Sequence, residues 1–203
     1  MVREIIKSLP GFKRIRNIRN SFNSADKHWG RVIMNRETRK LVEGLQPQEL
    51  RVLEIAGDYW QNLLSFKEYK SVKHQDFDIC ASTLPETFDL IIAEQVFEHL
   101  LWPYRAGKNI HRMLNPEGHF LITTPFLVRL HAEPVDCSRW TELGMKHLLA
   151  ECGFPLEKIK TGSWGNRDCV KANLDKWVRY RNNKHSLKND TDFPYVVWAL
   201  AEK

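Results

Sequence analysis

The chain has no apolar run near the ~20 residues of a membrane-spanning helix, which argues against a helical span. Its 4 cysteines, Cys80, Cys137, Cys152 and Cys169, make no C-x-x-C pair, and no cysteine–histidine set has zinc-finger spacing. Reduced thiols and no metal site are therefore expected. Internal repeats and low-complexity tracts are missing, and the composition is near the globular average, so collagen, coiled coil and wholesale disorder are excluded. There is no G-x-G-x-x-G, which counts against a nicotinamide cofactor. The N-terminal stretch MVREIIKSLPGFKRIRN is charged too early and too often for a signal peptide. A soluble protein of the cytoplasm is the expectation.

What is present suffices for one core. A chain of 203 residues is expected to form a single domain, 1–203, at roughly 100–200 residues per domain. It can bury roughly 70% of its unfolded surface, so no disulfide or metal is needed to hold it. The net charge is +6, from 31 basic and 25 acidic side chains, which is compatible with an anionic partner. The excess gathers in Lys7, Lys13, Arg14, Arg16 and Arg19, and again in Lys171, Lys176, Arg179, Arg181 and Lys184. Solvated helix faces are one reading, and a phosphate- or membrane-facing surface is the other. A peripheral membrane contact through the basic N-terminus thus stays open.

Apolar periodicity supplies the elements. Val2, Ile5, Ile6 and Leu9, then Ile15 and Ile18, fall at helical spacing, which predicts an N-terminal helical lid or pocket wall over 1–26. A helix over 29–45 should stop at Gly44. Strands are predicted at 51–56, 69–73, 88–93, 119–124, 156–160 and 195–201, and helices at 61–66, 104–114, 141–152 and 168–180. Asn115-Pro116-Glu117-Gly118 reads as a turn. Alternating strands and helices predict an α/β fold with a largely parallel sheet. Ligands of such sheets bind beyond the carboxyl ends of the strands, so function should follow Ala56, Lys73, Ala93 and Thr124.

The residues there suit that demand. Glu54 sits in an otherwise apolar strand, where a carboxylate needs a partner. Gly57 lets backbone approach a ligand closely. Asp76 and Asp78 follow the second strand, where an acid can accept ribose hydroxyls or make a turn. Glu94, Gln95, Glu98 and His99 follow FDLIIA, either as ligand groups or as acids at a helix start. A long polar loop then carries Arg129, His131, Glu133, Asp136 and Arg139, with Trp140 behind them. That is a good place for a substrate site.

The segments VLEIAGD, FDLIIAEQVFEHL and NIHRMLNPEGHFLITTPF, in that order, resemble the class I S-adenosylmethionine-dependent methyltransferases, in particular the small type 11-like group. Leu84-Pro85 and Glu98-His99 are similar to recurrent pairs of that group. The stretch from His131 through Pro134, Asp136, Arg139-Trp140-Thr141 and Gly144 to Gly153-Phe154 is similar to a substrate-loop pattern of bacterial members. Those members are associated with sugar, cell-surface glycan or secondary-metabolite pathways. The match is best over 51–154. It implies a Rossmann-like fold with an antiparallel C-terminal strand, and S-adenosylmethionine as cofactor with S-adenosylhomocysteine as product. Glu54, Ala56 and Gly57 fall on the first cofactor motif, Asp76 and Asp78 near the ribose, and Glu94 and Gln95 beside the cofactor and its methyl group. In place of the family's glycine-rich first loop stand Ala56 and Trp60, and Lys73 takes the place of the usual acid after the second strand.

A hydroxyl acceptor also needs its proton removed, and histidine has a suitable pKa of about 6.5. His131 is the first candidate and His99 the second, with Asp136 orienting the imidazole or acting directly. Arg139, with Arg129 and Trp140, would bind the acceptor, the guanidinium taking an anionic group. The reading is O-methylation of a small-molecule or glycan-type acceptor. N-methylation of a small molecule is one alternative, and a non-catalytic cofactor-binding or scaffolding protein another. RNA methylation is disfavoured, because the chain has no RNA-binding module and no Asn/Asp-Pro-Pro-Tyr motif.

Overall fold

Short aliphatic runs, each bounded by a turn signal, form one six-stranded sheet in the computed structural model of the chain, which describes residues 28–73, 76–132 and 134–203. The strands are β1 (Arg51–Ile55), β2 (Glu68–Val72), β3 (Phe88–Glu94), β4 (Leu114–Pro125), β5 (Ile159–Trp164) and β6 (Val196–Glu202). Their order is β2-β1-β3-β4-β6-β5. β2, β1, β3 and β4 pair in parallel, whereas β6 is antiparallel to β4 and β5. The largely parallel sheet with a reversed C-terminal strand is thus the expected one. The chain leaves β1 for β2 on one side and returns to β3 on the other, so the switch point lies between β1 and β3.

Among the described residues four helices cover the sheet: α1 (Val32–Glu43), α2 (Pro103–Met113), α3 (Glu142–Glu151) and α4 (Arg167–Ala172). In α1, Met34, Thr38 and Val42 recur every fourth residue and are fully buried, while Arg39 and Lys40 pair with Glu43 and Glu37 on the solvent face. Pro103 opens α2. The Thr141 hydroxyl caps α3 by accepting the Gly144 N–H at 3.1 Å.

The central strands are buried on both faces, which explains their unbroken apolar runs. Ile91, Ala93, Phe120, Ile122, Val197 and Ala199 pack with Ile110, Met113, Met145 and Leu149 of α2 and α3. Their alternates Leu90, Ile92, Leu121 and Leu200 pack with Val42 and Trp60 on the opposite face. With both faces filled, polar groups have room mainly at the strand ends.

Four expected elements differ. The helix over 61–66 shrinks to one 3₁₀ turn, Trp60–Asn62, because Trp60 turns into the core. The strand expected at 156–160 lies at Ile159–Trp164, where it pairs with β6 residue by residue. The turn at 115–118 is an irregularity within β4, where the register with β3 shifts between Phe88 and Leu90. The helix over 168–180 ends at Ala172, because Asn173 turns inward at 1% exposure. Its side-chain amide donates to Cys169 O at 2.8 Å, and its Oδ1 accepts the Val178 N–H at 2.8 Å. The chain then folds back as a strap, with the Trp29 N–H donating to Val178 O at 2.9 Å.

The helical lid expected over 1–26 lies outside the described residues. Among the described residues, no helix is long and apolar enough to cross a membrane. Replacing Asn173 by Ala removes the hydrogen bonds of a buried amide to Cys169 and Val178, so it should cost about 1–3 kcal/mol in urea unfolding. It should also release the strap, read as faster hydrogen exchange at the Trp29 and Val178 amides.

Candidate active site

β1 carries one carboxylate among aliphatic residues, and the loop after it folds around that group. Glu54 is 2% exposed and accepts the N–H groups of Tyr59 at 3.1 Å and Trp60 at 2.9 Å. The Tyr69 hydroxyl of β2 donates to it as well. Burial pushes the Glu54 carboxyl above its ordinary value, and these three donors pull against that shift. Reaching Glu54 requires a tight turn. Ala56 takes a left-handed φ of 61°, and Gly57 passes so near that a Cβ there would overlap the carboxylate. Glu54 and Gly57 are therefore engaged with each other.

Trp60, 1% exposed, donates its indole N–H to Glu94 Oε2 at 3.3 Å and so ties the ends of β1 and β3 across the switch point. Gln95 follows with a left-handed φ of 56°. Its backbone N–H reaches Thr123 O at 2.9 Å, and its amide nitrogen reaches Thr123 Oγ1 at 3.1 Å. Its amide oxygen accepts Arg31 Nη2 at 3.4 Å. Asp76 and Asp78 are exposed beyond β2, and Asp78 accepts the Cys80 N–H at 2.8 Å in a local turn.

Past Gln95, over the ends of β3 and β4 and the start of β6, lies a cavity of about 450 Å³. Small-molecule sites usually measure about 300–1,000 Å³. Arg31, Gln95, Glu98, His99 and His131 supply its polar lining, and His28, Val128, Trp177 and Tyr195 its broader walls. The rings of His99 and His131 lie 5.0 Å apart at 82°. His99 Nδ1 faces the Val135 carbonyl, which can only accept, so Nδ1 carries a hydrogen and Nε2 is the nitrogen turned toward Glu98. Burial lowers the His131 pKa, with Asp136 opposing, which favours the neutral ring. Burial brings His28 down to about 4, helped by the Arg31 charge. Glu98 is fully buried, and among the described residues no side chain or backbone group of another residue hydrogen-bonds either carboxylate oxygen. Burial pushes it up to about 7, against the pull of His99, Arg31 and Arg139.

The 127–139 loop is locked onto this floor by the Cys137 N–H, which donates to Glu98 O at 2.8 Å. Within the loop the expected trio separates. His131 lines the cavity. Asp136 accepts the backbone N–H of His131 at 2.9 Å and both Arg139 guanidinium nitrogens, Nη2 at 2.6 Å. Burial would raise the Asp136 carboxyl, but Arg139 and that N–H hold it below its ordinary value. Asp136 thus anchors the loop backbone and does not orient the His131 imidazole, and the Arg139 fork is spent on Asp136. Trp140 packs against the core. Arg129 lies over the outer Trp177 ring at 4.4 Å and donates to Leu174 O at 3.3 Å.

The sequence pattern did not point to His28, Arg31, Trp177 or Tyr195, and it left Glu98 open between a ligand group and an acid at a helix start. One signal was available for Arg31. It is the N-cap of α1, whose first turn holds no acid, so a cation stands against the helix dipole. Trp177 and Tyr195 gave no local signal, because the strap and the start of β6 bring them in from far along the chain.

Residues 27–165 match the family described as Methyltransferase domain. No curated protein sequence matches the chain. Among solved structures, an S-adenosylmethionine dependent methyltransferase from Mesorhizobium loti aligns at 14% identity over 81% of this chain and 96% of its own, with a TM-score of 0.52. The N-methyltransferase NodS from Bradyrhizobium japonicum, in complex with S-adenosyl-L-homocysteine, aligns at 17% over 84% and 86%, with a TM-score of 0.50. A phospholethanolamine N-methyltransferase from Haemonchus contortus, in complex with phosphomonomethylethanolamine and S-adenosylhomocysteine, aligns at 14% over 83% and 52%, with a TM-score of 0.55. At these identities the likeness is one of fold.

Two outcomes follow from the geometry. Gly57→Ala should displace Glu54, lowering stability by about 1–3 kcal/mol in thermal or urea unfolding. His28 titrates near 4 when folded and near 6.5 when unfolded. The unfolded chain therefore binds the extra proton between those values, and stability falls as pH drops through that window. The loss should be smaller in His28→Gln, measured as Tm against pH.

Proposed function

The chain belongs to the methyltransferase-domain family, and on that premise we propose that it moves the methyl group of S-adenosylmethionine to the oxygen of a small-molecule or glycan-type acceptor seated in the cavity. The observation that carries this reading is the meeting of the His99 and His131 rings beside Gln95, at the carboxyl edge where such sheets bind ligands.

The donor set at the β1–β3 edge suits that cofactor. It is cationic at sulfur and nitrogen and rich in ribose hydroxyls, and Asp58, Asp76 and Asp78 stand exposed there with Glu94 alongside. Ala56 and Gly57 present backbone with almost no side chain. We assign the ribose to Asp76 or Asp78 and the methyl-bearing end to Glu94 and Gln95. Glu54 acts one step back, holding the loop. Bound cofactor supplies a methyl group activated by its sulfonium.

This chain's own residues do the rest. Neutral His131 takes the proton of the acceptor hydroxyl, with His99 as its neighbour in reserve. The freed oxygen pair bonds to the methyl carbon, and the carbon–sulfur pair stays on sulfur. Arg31 offers its guanidinium to an anionic group of the acceptor, the role expected of Arg139. Trp177 and Tyr195 supply apolar walls. One observation favours a second reading, N-methylation: the unsatisfied Glu98 carboxylate would suit an ammonium group.

Calorimetry with S-adenosylmethionine, followed by methyl-transfer assays on phenol, sugar and amine panels, tests the proposal. Binding without turnover on any panel would favour a non-catalytic protein, and turnover on amines alone would favour the second reading. His131→Ala should lower kcat by roughly 10²–10⁴-fold if the ring is the base. Cofactor affinity should be unchanged in that variant, because the assigned cofactor residues lie on the other strand ends.

A further inference from the structure

The cavity floor holds a donor set that methyl transfer from a sulfonium does not call for. A carboxylate oxygen of Glu98 and ring nitrogens of His99 and His131 all lie within 4.8 Å of one another. His99 Nε2 is 3.6 Å from Glu98 Oε1. Ligand bonds of about 2.0–2.2 Å set neighbouring donors roughly 3.4 Å apart around a tetrahedral ion, so small side-chain rotations would close this set on a cation.

Three features make it more than a chance cluster. Glu98 is fully buried with neither oxygen hydrogen-bonded by another of the described residues, a costly state that a group arriving from solution would relieve. The Val135 carbonyl holds His99 Nδ1–H and turns Nε2 toward Glu98, the arrangement that orients metal-bound imidazoles. His131 is fixed through its backbone by Asp136, itself clamped by Arg139. All three donors line one cavity, so the remaining coordination positions would face open space.

We propose that Glu98, His99 and His131 bind one divalent first-row transition-metal ion, of the zinc class, on the floor of the cavity. Two imidazoles and one carboxylate suit such an ion, whereas magnesium and calcium prefer all-oxygen sets. The ion's use as an acceptor anchor rests on the acceptor-site reading above. A dication beside Arg31, with one carboxylate to balance it, selects an acceptor with an anionic or ionisable oxygen. Such an ion would lower the pKa of a hydroxyl it holds, so with the ion bound the proton would leave to solvent and His131 would serve as ligand, whereas without it His131 is the base proposed above.

The test uses full-length protein freed of metal with a chelator and titrated with Zn²⁺, Mn²⁺ and Mg²⁺ by calorimetry. One Zn²⁺ per chain is expected, bound at least about 100-fold more tightly than Mg²⁺. Glu98→Gln and His99→Ala should each weaken Zn²⁺ by about 100-fold or more. His147→Ala, outside the cavity, should not. Glu98→Gln keeps the shape and removes a buried acid, so its metal-free Tm should match or exceed the parent's, while Zn²⁺ should raise Tm in the parent alone. X-ray absorption of the loaded protein should report two imidazole ligands. Unchanged Zn²⁺ affinity in Glu98→Gln, or loss confined to His147→Ala, overturns the site. Methyl transfer by protein without stoichiometric metal overturns the anchor role and leaves the function standing. Stoichiometric Zn²⁺ in a chain that does not bind S-adenosylmethionine overturns the function and leaves the metal site.

Discussion

A carboxylate inside an apolar strand must be satisfied by its surroundings, and here the chain arranges its first loop to do so. Two backbone N–H groups and a tyrosine hydroxyl converge on Glu54, and the turn that brings them needs a left-handed Ala56 and a bare Gly57. The same turn drives Trp60 into the core, from where its indole reaches Glu94. The ends of β1, β2 and β3 are thereby linked through one buried acid. The edge on which a cofactor would rest takes its shape from that acid.

The contrast with Glu98 is instructive. Both acids are buried at the carboxyl edge of the same sheet, yet among the described residues one has three hydrogen-bond donors and the other has none from another residue. Burial moves both carboxyls upward, and only Glu54 has donors from other residues to offset it. Glu54 is a structural group, complete without a ligand. Glu98 is incomplete, and its neighbours His99, His131 and Arg31 all line the cavity into which a ligand would come. The proposed function and the proposed metal site both rest on that difference.

The cavity also depends on a part of the chain remote from the sheet's first half. Asn173 ends α4 early and lets the strap return to Trp29, and this fold-back carries Trp177 to the cavity wall. The 127–139 loop is held from below by Glu98 O and from within by the Asp136–Arg139 pair. His131 is thus presented by an anchored stretch of loop, in which Asp136 and Arg139 are engaged with the loop itself.

The sequence by itself determined the order of strands and helices, the largely parallel sheet, and the edge at which chemistry would gather, while the reversed last strand was implied by the family resemblance alone. These were legible because strands buried on both faces must be apolar throughout, and an acid such as Glu54 stands out in them. Helix length was less legible. Apolar spacing continued past Ala172, but a buried Asn173 side chain outcompeted the helix. Tertiary structure alone decided which ionisable groups meet. Asp136 took Arg139 in place of an imidazole, Glu98 was left without a donor from another residue, and Arg31 came to the position expected of Arg139. His28, Glu98, His131, Trp177 and Tyr195 are far apart in the chain, and a side chain's partners are set by distance in space, which spacing along the sequence does not encode.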